Sequence, residues 1–394
     1  MSRVRRRIVL YAPGCDPRRP TFYHAMYRDE AAKQAAVSGH AIEVGSIERT
    51  SPHVAEWRVS ATIEGETVET RYRLLWWDDI VRANWPRTPL SLVRAIIGGS
   101  GHALFGGVLR KTYHWSWPAA VGCSMPYFVL CGLLLLCALL PIAGWGLGGW
   151  IGFGAGLVAA IGALWIAWRL DKAFSLSWLG RIIDILAMDS QGRLPALEAR
   201  REEFAGLVAE ALADPSCDEV LVAGHSVGST IAVAIVARSL AAAACSPARL
   251  SLLTLGQTNC WLAFFPGAER FRGEIAAVAT SDDIDWVDFS APPDGACFAL
   301  VDPYTALGDR RIDRANPKLL NAKFHETMAP QLYDKKARDW TALHFQYMRA
   351  SVAPADYDYF AITAGPSTLA DRYRERRSVR DFTRLRSRAM KHVR

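Results

Sequence analysis

The first strongly patterned stretch, Arg7–Tyr11, is a short apolar run closed by Ala12-Pro13-Gly14-Cys15-Asp16-Pro17. An apolar run stopped by proline and glycine predicts a buried strand entering a turn. A helical stretch follows over Thr21–Ser38. Glu56–Glu64 and Thr67–Trp76 then alternate with period two around Glu64-Gly65-Glu66, which predicts a β-hairpin. Leu194–Ala213 has the pattern of an amphipathic helix, and from Asp218 to about Pro303 strand and helix patterns alternate. That alternation predicts an α/β fold, a mostly parallel sheet flanked by helices. Pro330–Asp358 reads as helical in part.

One segment breaks this rhythm. No residue from Ser116 to Trp168 is charged. A single membrane span needs about 20 apolar residues to cross a hydrocarbon core of about 30 Å, so the run suits two spans. They are expected at about Ala119–Leu140 and Leu147–Ala167, with a turn near Pro141–Gly146. Trp115, Trp117, Trp145 and Trp168 fall near the expected interfaces, where indole rings are favoured. Gly144, Gly148, Gly152 and Gly156 recur every four residues and would share one helix face. Such a face packs the two spans together or, alternatively, seats a homodimer. The expected domains are an N-terminal part of the sheet domain over 1–110, the transmembrane hairpin over 111–170, the main part over 171–365, and a basic tail over 366–394.

Charge orients the hairpin. Arg110 and Lys111 precede the first span, Arg169, Lys172 and Arg181 follow the second, and the connecting turn is uncharged. Basic flanks stay on the cytoplasmic side, so both soluble parts and both termini are expected there, at the inner membrane. The net charge of +7 is concentrated at the ends, in Arg3, Arg5, Arg6 and Arg7 and in the arginine-rich tail after Asp371. No nucleic-acid-binding module accompanies it, so anionic lipid is the partner expected for the tail, and nucleic acid is not. The eight cysteines form neither a CxxC pair nor a zinc spacing. The expectation is reduced thiols and no metal or organic cofactor.

Chemistry enters at Gly224-His225-Ser226-Val227-Gly228, which matches G-x-S-x-G. It lies between the apolar strand Glu219–Ala223 and an alanine-rich helix over Ser229–Ala244. Strand, tight turn and helix are the setting of a nucleophile elbow, whose strained turn lifts the serine Oγ above the sheet. Gly224 and Gly228 would allow the close backbone approach the turn requires. The backbone N–H of Val227, at the helix N-terminus, would face a developing oxyanion.

With these residues the chain resembles the α/β-hydrolases, in the lipase and esterase form of the elbow. Leu252-Leu253-Thr254-Leu255-Gly256-Gln257 is similar to the strand after the elbow in class 3 lipases. The hairpin departs from that family's pattern. The resemblance implies the chain order serine, acid, histidine. His344, in a His-x-x-Tyr segment with Tyr347, is the histidine it favours, with His325 as the alternative. The acid is expected in the loop after the strand Ile284–Phe289, which selects Asp294; Asp302 and Asp288 are the alternatives. A second oxyanion donor would come from the loop after the first strand, through the N–H of Cys15. The implied function is a membrane-anchored serine hydrolase acting on a small amphiphilic ester, lipid or thioester. A non-catalytic membrane scaffold on the same fold is the alternative. A channel role is disfavoured, because two spans without a charged residue offer no ion pathway within one chain.

Overall fold

The computed structural model describes residues 3–174, 178–308, 314–336 and 340–379. The strands are β1 Arg6–Ala12, β2 Ala41–Val44, β3 Glu48–Ser51, β4 Val54–Ile63, β5 Glu66–Leu75, β6 Glu219–His225, β7 Arg249–Leu255, β8 Ile284–Ser290 and β9 Lys318–Asn321. The first ten helices are α1 Pro20–Ser38, α2 Asp78–Ala83, α3 Pro89–Phe105, α4 Val108–Trp115, α5 Trp117–Phe174, α6 Trp178–Ser190, α7 Pro195–Leu212, α8 Gly228–Ala244, α9 Asn259–Phe264 and α10 Glu269–Thr280. Shorter helices follow. The chain divides into two compact units, one of residues 1–83, 194–263 and 267–394, the other of 84–193 with 264–266. The second unit thus takes in α3, α4 and α6 as well as the apolar run.

The first unit is an α/β structure. Its sheet runs in the order β2-β4-β5-β1-β6-β7-β8-β9, with β3 on the outer part of β4. From β5 to β9 every neighbouring pair is parallel, whereas β4 pairs antiparallel with β2, β3 and β5. The expected hairpin is β4–β5, and Glu64 and Gly65 both have positive φ. Two such residues give the turn whose twist matches the flanking strands. Alternation divides each central strand between two faces. Val9, Tyr11, Leu221, Ala223, Leu253 and Leu255 belong to a buried cluster with Tyr23 and Tyr27 of α1 and with Phe360. Helices α7, α8 and α10 pack on one another and on β6, β7 and β8.

One ion pair is buried in the middle of this sheet. Arg7 on β1 and Glu219 on β6 are register partners, and their side chains meet at 2.7 Å without solvent exposure. Arg7 also donates to the carbonyls of Gly365 and Ser367, while Glu219 accepts from Ser251 Oγ and the Leu369 N–H. These bonds tie residues 365–369 to the central strands. The basic stretch beyond them is docked as far as it is described: Arg372 pairs with Glu64, Arg376 with Asp356, and Val379 donates its N–H to Leu319. Arg380, Arg384, Arg386, Arg388, Lys391 and Arg394, and with them most of the expected lipid-binding tail, lie outside the described residues.

In the second unit the uncharged run forms the 58-residue helical element α5. It is long and apolar enough to cross a membrane. Its helical geometry is interrupted only at Gly148 and Gly149, the latter with φ +57. The sequence pattern puts the turn at Pro141–Gly146. Pro141 instead stays within the helix, and the break falls where glycine can adopt the left-handed conformation at low cost. A methyl group on Gly144 would overlap the Gly152 carbonyl, and one on Gly156 would overlap that of Leu140. The glycine face is therefore used inside the chain, between the two halves of α5. Trp145 and Trp150 meet edge-to-face across the break, with ring centres 4.5 Å apart.

Removing one partner of a buried ion pair strands the other charge. Glu219→Ala is expected to destabilise the first unit by about 3–5 kcal/mol. Thermal unfolding of the detergent-solubilised full chain, followed by tryptophan fluorescence, checks this; an unchanged Tm would show that Arg7 finds another partner.

Candidate active site

The elbow forms where β6 ends. Ser226 has φ +55, a left-handed conformation that costs a residue with a Cβ about 1–3 kcal/mol. Surrounding contacts hold it there. The Ser226 N–H donates to Leu255 O at the end of β7, and the Ser226 carbonyl accepts from Ser229 Oγ at 2.6 Å. Thr230 Oγ1 donates to the Val227 carbonyl in the same way. Neither flanking glycine has room for a side chain. A Cβ at Gly224 would stand 2.6–2.7 Å from Gly228 O, Ser229 Cα and Ala232 Cβ, and one at Gly228 would overlap the carbonyls of Ala12 and Pro13.

The last contact brings the loop after β1 against Ser226. A Cβ at Gly14 would lie 3.1 Å from Ser226 Cβ and 3.5 Å from its Oγ. The loop is fixed on two sides. Trp77 Nε1 donates to Pro13 O at 2.9 Å. Asp16 accepts from Tyr23 Oη and from Arg18 Nε, and the Arg18 guanidinium lies 4.0 Å from the Phe22 ring centre and 4.4 Å from that of Phe345. Cys15 is buried between these anchors, and burial pushes its thiol far up, so it stays protonated. Among the described residues, neither the Val227 N–H nor the Cys15 N–H donates a hydrogen bond to the protein.

Asp294 stands in the loop after β8, and His344 ends the short helix Trp340–His344. His344 Nδ1 meets Asp294 Oδ2 at 2.8 Å, with both side chains buried. The same oxygen accepts from Tyr347 Oη at 3.0 Å, while Asp294 Oδ1 accepts the Ala296 N–H at 3.1 Å. Burial alone would raise this carboxyl. The charge and hydrogen bond of His344, with the Ala296 and Tyr347 donors, outweigh burial and hold it below the usual carboxylate range. Bonded to a carboxylate, Nδ1 carries the ring proton, which leaves Nε2 as the basic nitrogen.

His225, the residue before Ser226, joins the two halves of the site. Its Nε2 lies 2.7 Å from the His344 carbonyl oxygen, and the two rings are 4.6 Å apart. Burial, reinforced by the neighbouring His344, lowers His225 to about 3, so it is neutral at ordinary pH. A neutral ring donates one hydrogen bond to that carbonyl without placing a charge beside His344.

The alternative residues stand elsewhere. His325 is exposed, with Glu326 at 3.7 Å. Asp302 caps a helical turn by accepting the N–H groups of Tyr304 and Thr305, and it pairs with Arg314. Asp288 is buried within β8, bonded to Thr254 Oγ1 and Ser290 Oγ, and burial raises it to about 7. Three contributors escape the sequence pattern: Gly14, the ring of His225, and Gly256. Gly256 has φ +52, and a Cβ there would stand 2.6 Å from the Tyr347 ring and 3.1 Å from Asp294 Oδ2. Their signals, a turn glycine, the variable position of G-x-S-x-G and a glycine after a strand, are too common to select them. Among the described residues, no group of three or more His, Cys, Asp or Glu is placed to hold a metal ion.

Comparison with protein-family models, with curated proteins and with solved structures finds no match for this chain.

The burial of neutral His225 has a consequence for pH. Unfolded, this group takes up a proton near its ordinary value of 6.5; folded, it does so only near 3. The unfolded state therefore binds more protons between these values, and stability falls as pH drops through that window. The expected result is a Tm that declines below about pH 6.5 more steeply in wild type than in His225→Asn. Parallel Tm-against-pH curves for the two proteins would refute it.

Proposed function

We propose that this chain is a membrane-anchored serine hydrolase of the α/β-hydrolase type, which cleaves an ester, lipid or thioester through an acyl-enzyme on Ser226. The observation that carries this reading is the junction at His225. It joins a left-handed Ser226 to the carbonyl of a histidine whose Nδ1 is held by a buried carboxylate.

In this reading His344 Nε2 takes the proton of Ser226 Oγ as the oxygen attacks the acyl carbon. The N–H groups of Val227 and Cys15 receive the developing oxyanion, which they can do without first breaking protein hydrogen bonds. His344 returns the proton to the leaving alcohol or thiol as the acyl–O or acyl–S bond breaks. It then activates the water that frees the acid and restores Ser226. Asp294 stays ionised and keeps the ring in the tautomer this cycle needs.

The membrane reading takes α5 as two spans turning at Gly148–Gly149. With Arg110 and Lys111 before it and Arg169 near its end, beyond the second span, both soluble parts lie on the cytoplasmic face of the inner membrane. An anchor there suits a small amphiphilic acyl substrate drawn from the adjacent leaflet. The second reading, a non-catalytic scaffold, is favoured by one observation: Ser226 and His344 are both buried, so a substrate needs an opening.

Fluorophosphonate labelling of the solubilised full chain, with the labelled site mapped by mass spectrometry, separates these readings. The hydrolase requires labelling at Ser226 that is absent in Ser226→Ala. Asp294→Asn, which disturbs the tautomer but not the fold, is expected to slow hydrolysis of a p-nitrophenyl ester by about 10³–10⁴-fold. Folded wild-type protein that takes up no probe, in detergent or in lipid, would move the assignment to the scaffold.

A further inference from the structure

Helices α3 and α4 carry an apolar surface that no element among the described residues covers. On α3, positions 90, 94, 97, 101 and 104 fall on one stripe by helical spacing. Leu90, Ile97 and Leu104 on that stripe are 60%, 51% and 49% exposed, and Phe105 at the helix end is 90% exposed. The opposite face is packed: Leu92 and Ile96 join a buried cluster with Leu130, Tyr127 and Trp168 of α5, and Gly99 lies against the backbone of Asp184 on α6. Helix α4 turns away from α3 by 72°. It buries Val108 and Thr112 and exposes Tyr113. Between α4 and the start of α5 lies an open groove of about 390 Å³, lined mainly by apolar groups, with Arg110 among its residues.

Charge separates the partners such a surface could have. No acidic residue occurs between Asp79 and Asp171, whereas Arg87, Arg94, Arg110 and Lys111 are all present and exposed on or beside α3 and α4. A surface made for water would mix both signs; one made for a neutral apolar partner would have no use for cations alone. Exposed apolar side chains on helices whose own charged residues are all basic fit the headgroup–acyl boundary of an anionic bilayer. Arg94 lies within the apolar stripe, where its long stem can follow the acyl region while the guanidinium reaches phosphate.

We infer that α3 and α4 form a basic amphipathic foot that lies along the anionic leaflet, beside the membrane-crossing α5, with Leu90, Ile97, Leu104 and Phe105 inserted at the level of the upper acyl chains. This rests on the membrane-anchored reading above. Two features make α3 lie on the leaflet rather than cross it. Arg94 would stand inside a span, where an unpaired charge is unfavourable, and the bend before α4 brings Arg110 and Lys111 to the same boundary. The bonded partner is the lipid headgroup phosphate, and the surface is distinct from the arginine-rich tail.

The test uses the full chain in nanodiscs, with the exposed Cys131 and Cys245 and the half-buried Cys137 replaced by serine. A single cysteine carrying the environment-sensitive fluorophore NBD is placed at Leu90, Ile97, Leu104 or Phe105 in turn. Val352, exposed in the first unit, serves as the water reference, and Val158 on α5 as the acyl-core reference. At the α3 sites the emission is expected to shift to the blue of the Val352 probe. Bromolipids brominated near the headgroup should quench these sites more than deeply brominated ones do, with the reverse order at Val158. Adding phosphatidylglycerol to phosphatidylcholine discs should increase the blue shift, and Arg94→Glu with Arg110→Glu and Lys111→Glu should abolish that increase. Emission matching Val352 at every α3 site, stronger quenching from the deep position at Ile97, or no response to phosphatidylglycerol would each overturn the inference. A blue shift that grows with protein concentration in detergent would overturn it in favour of a second copy of the chain. If Val158 itself is not quenched by any bromolipid, the membrane-anchored reading has failed instead.

Discussion

The geometry of the candidate site in the first unit depends on a crowded contact between two backbone turns more than two hundred residues apart. Gly228, at the start of α8, lies against the carbonyls of Ala12 and Pro13 at the end of β1, with no room for a methyl group. That approach sets Gly14 beside the Ser226 hydroxyl and keeps Ser226 itself in a left-handed conformation. The strain of such a residue persists only where its surroundings over-determine it. Here they do so through the Leu255 carbonyl, Ser229 Oγ and the packing of Gly224 on Ala232. The parallel register of β1 with β6, reinforced by the Arg7–Glu219 pair further down the same strands, holds the two turns in step.

Around that contact the protein sorts its titratable groups by what touches them. Asp294 and Asp288 are both buried aspartates near the ends of β8. Asp294 meets His344, Tyr347 and a backbone N–H and is held in its charged form, whereas Asp288 accepts from two neutral hydroxyls and burial pushes it up to about 7. The same logic separates the histidines: His344 has a carboxylate on Nδ1, whereas His225 has a carbonyl and a neighbouring imidazole. Where side chains are buried these differences of partner decide charge, because bulk solvent screens them little. The result is one negative carboxylate and one neutral imidazole on either side of His344 within a single cluster.

The second unit follows a different rule. Its long apolar element is not specified by alternation or by charge pairs but by where its glycines lie. Gly149 supplies the positive φ of the break, while Gly144, Gly152 and Gly156 supply the close approach of its two halves. Helix α3 repeats the device on a smaller scale, since Gly99 meets α6 and Gly180 of α6 meets Ile96 and Pro126. Small residues admit backbone contact where dispersion is the main attraction left between apolar helices.

Strands, hairpin, elbow and the long apolar run are legible in the sequence, because each is a local pattern: a period, a breaker, a motif or the absence of charge. β1, β4, β5, β6 and β8 lie within a few residues of where period and breakers put them, and Ser226 occupies the strand–helix junction its motif implies. The alternatives for the other site residues were not separable at that level. Asp294, Asp302 and Asp288 all follow Ser226 in the right interval, and so do His325 and His344. Only the folded chain shows that Asp302 is a helix cap, that Asp288 is bonded to hydroxyls, that His325 is exposed and that His344 meets Asp294. The helix break is a similar case: local rules favour a turn near Pro141, yet the chain keeps Pro141 helical and turns at Gly149. The physical reason is common to all of these. Sequence pattern encodes what a residue prefers by itself and with its near neighbours, whereas charge state, partner and available space are set by groups that only tertiary packing brings within a few ångströms.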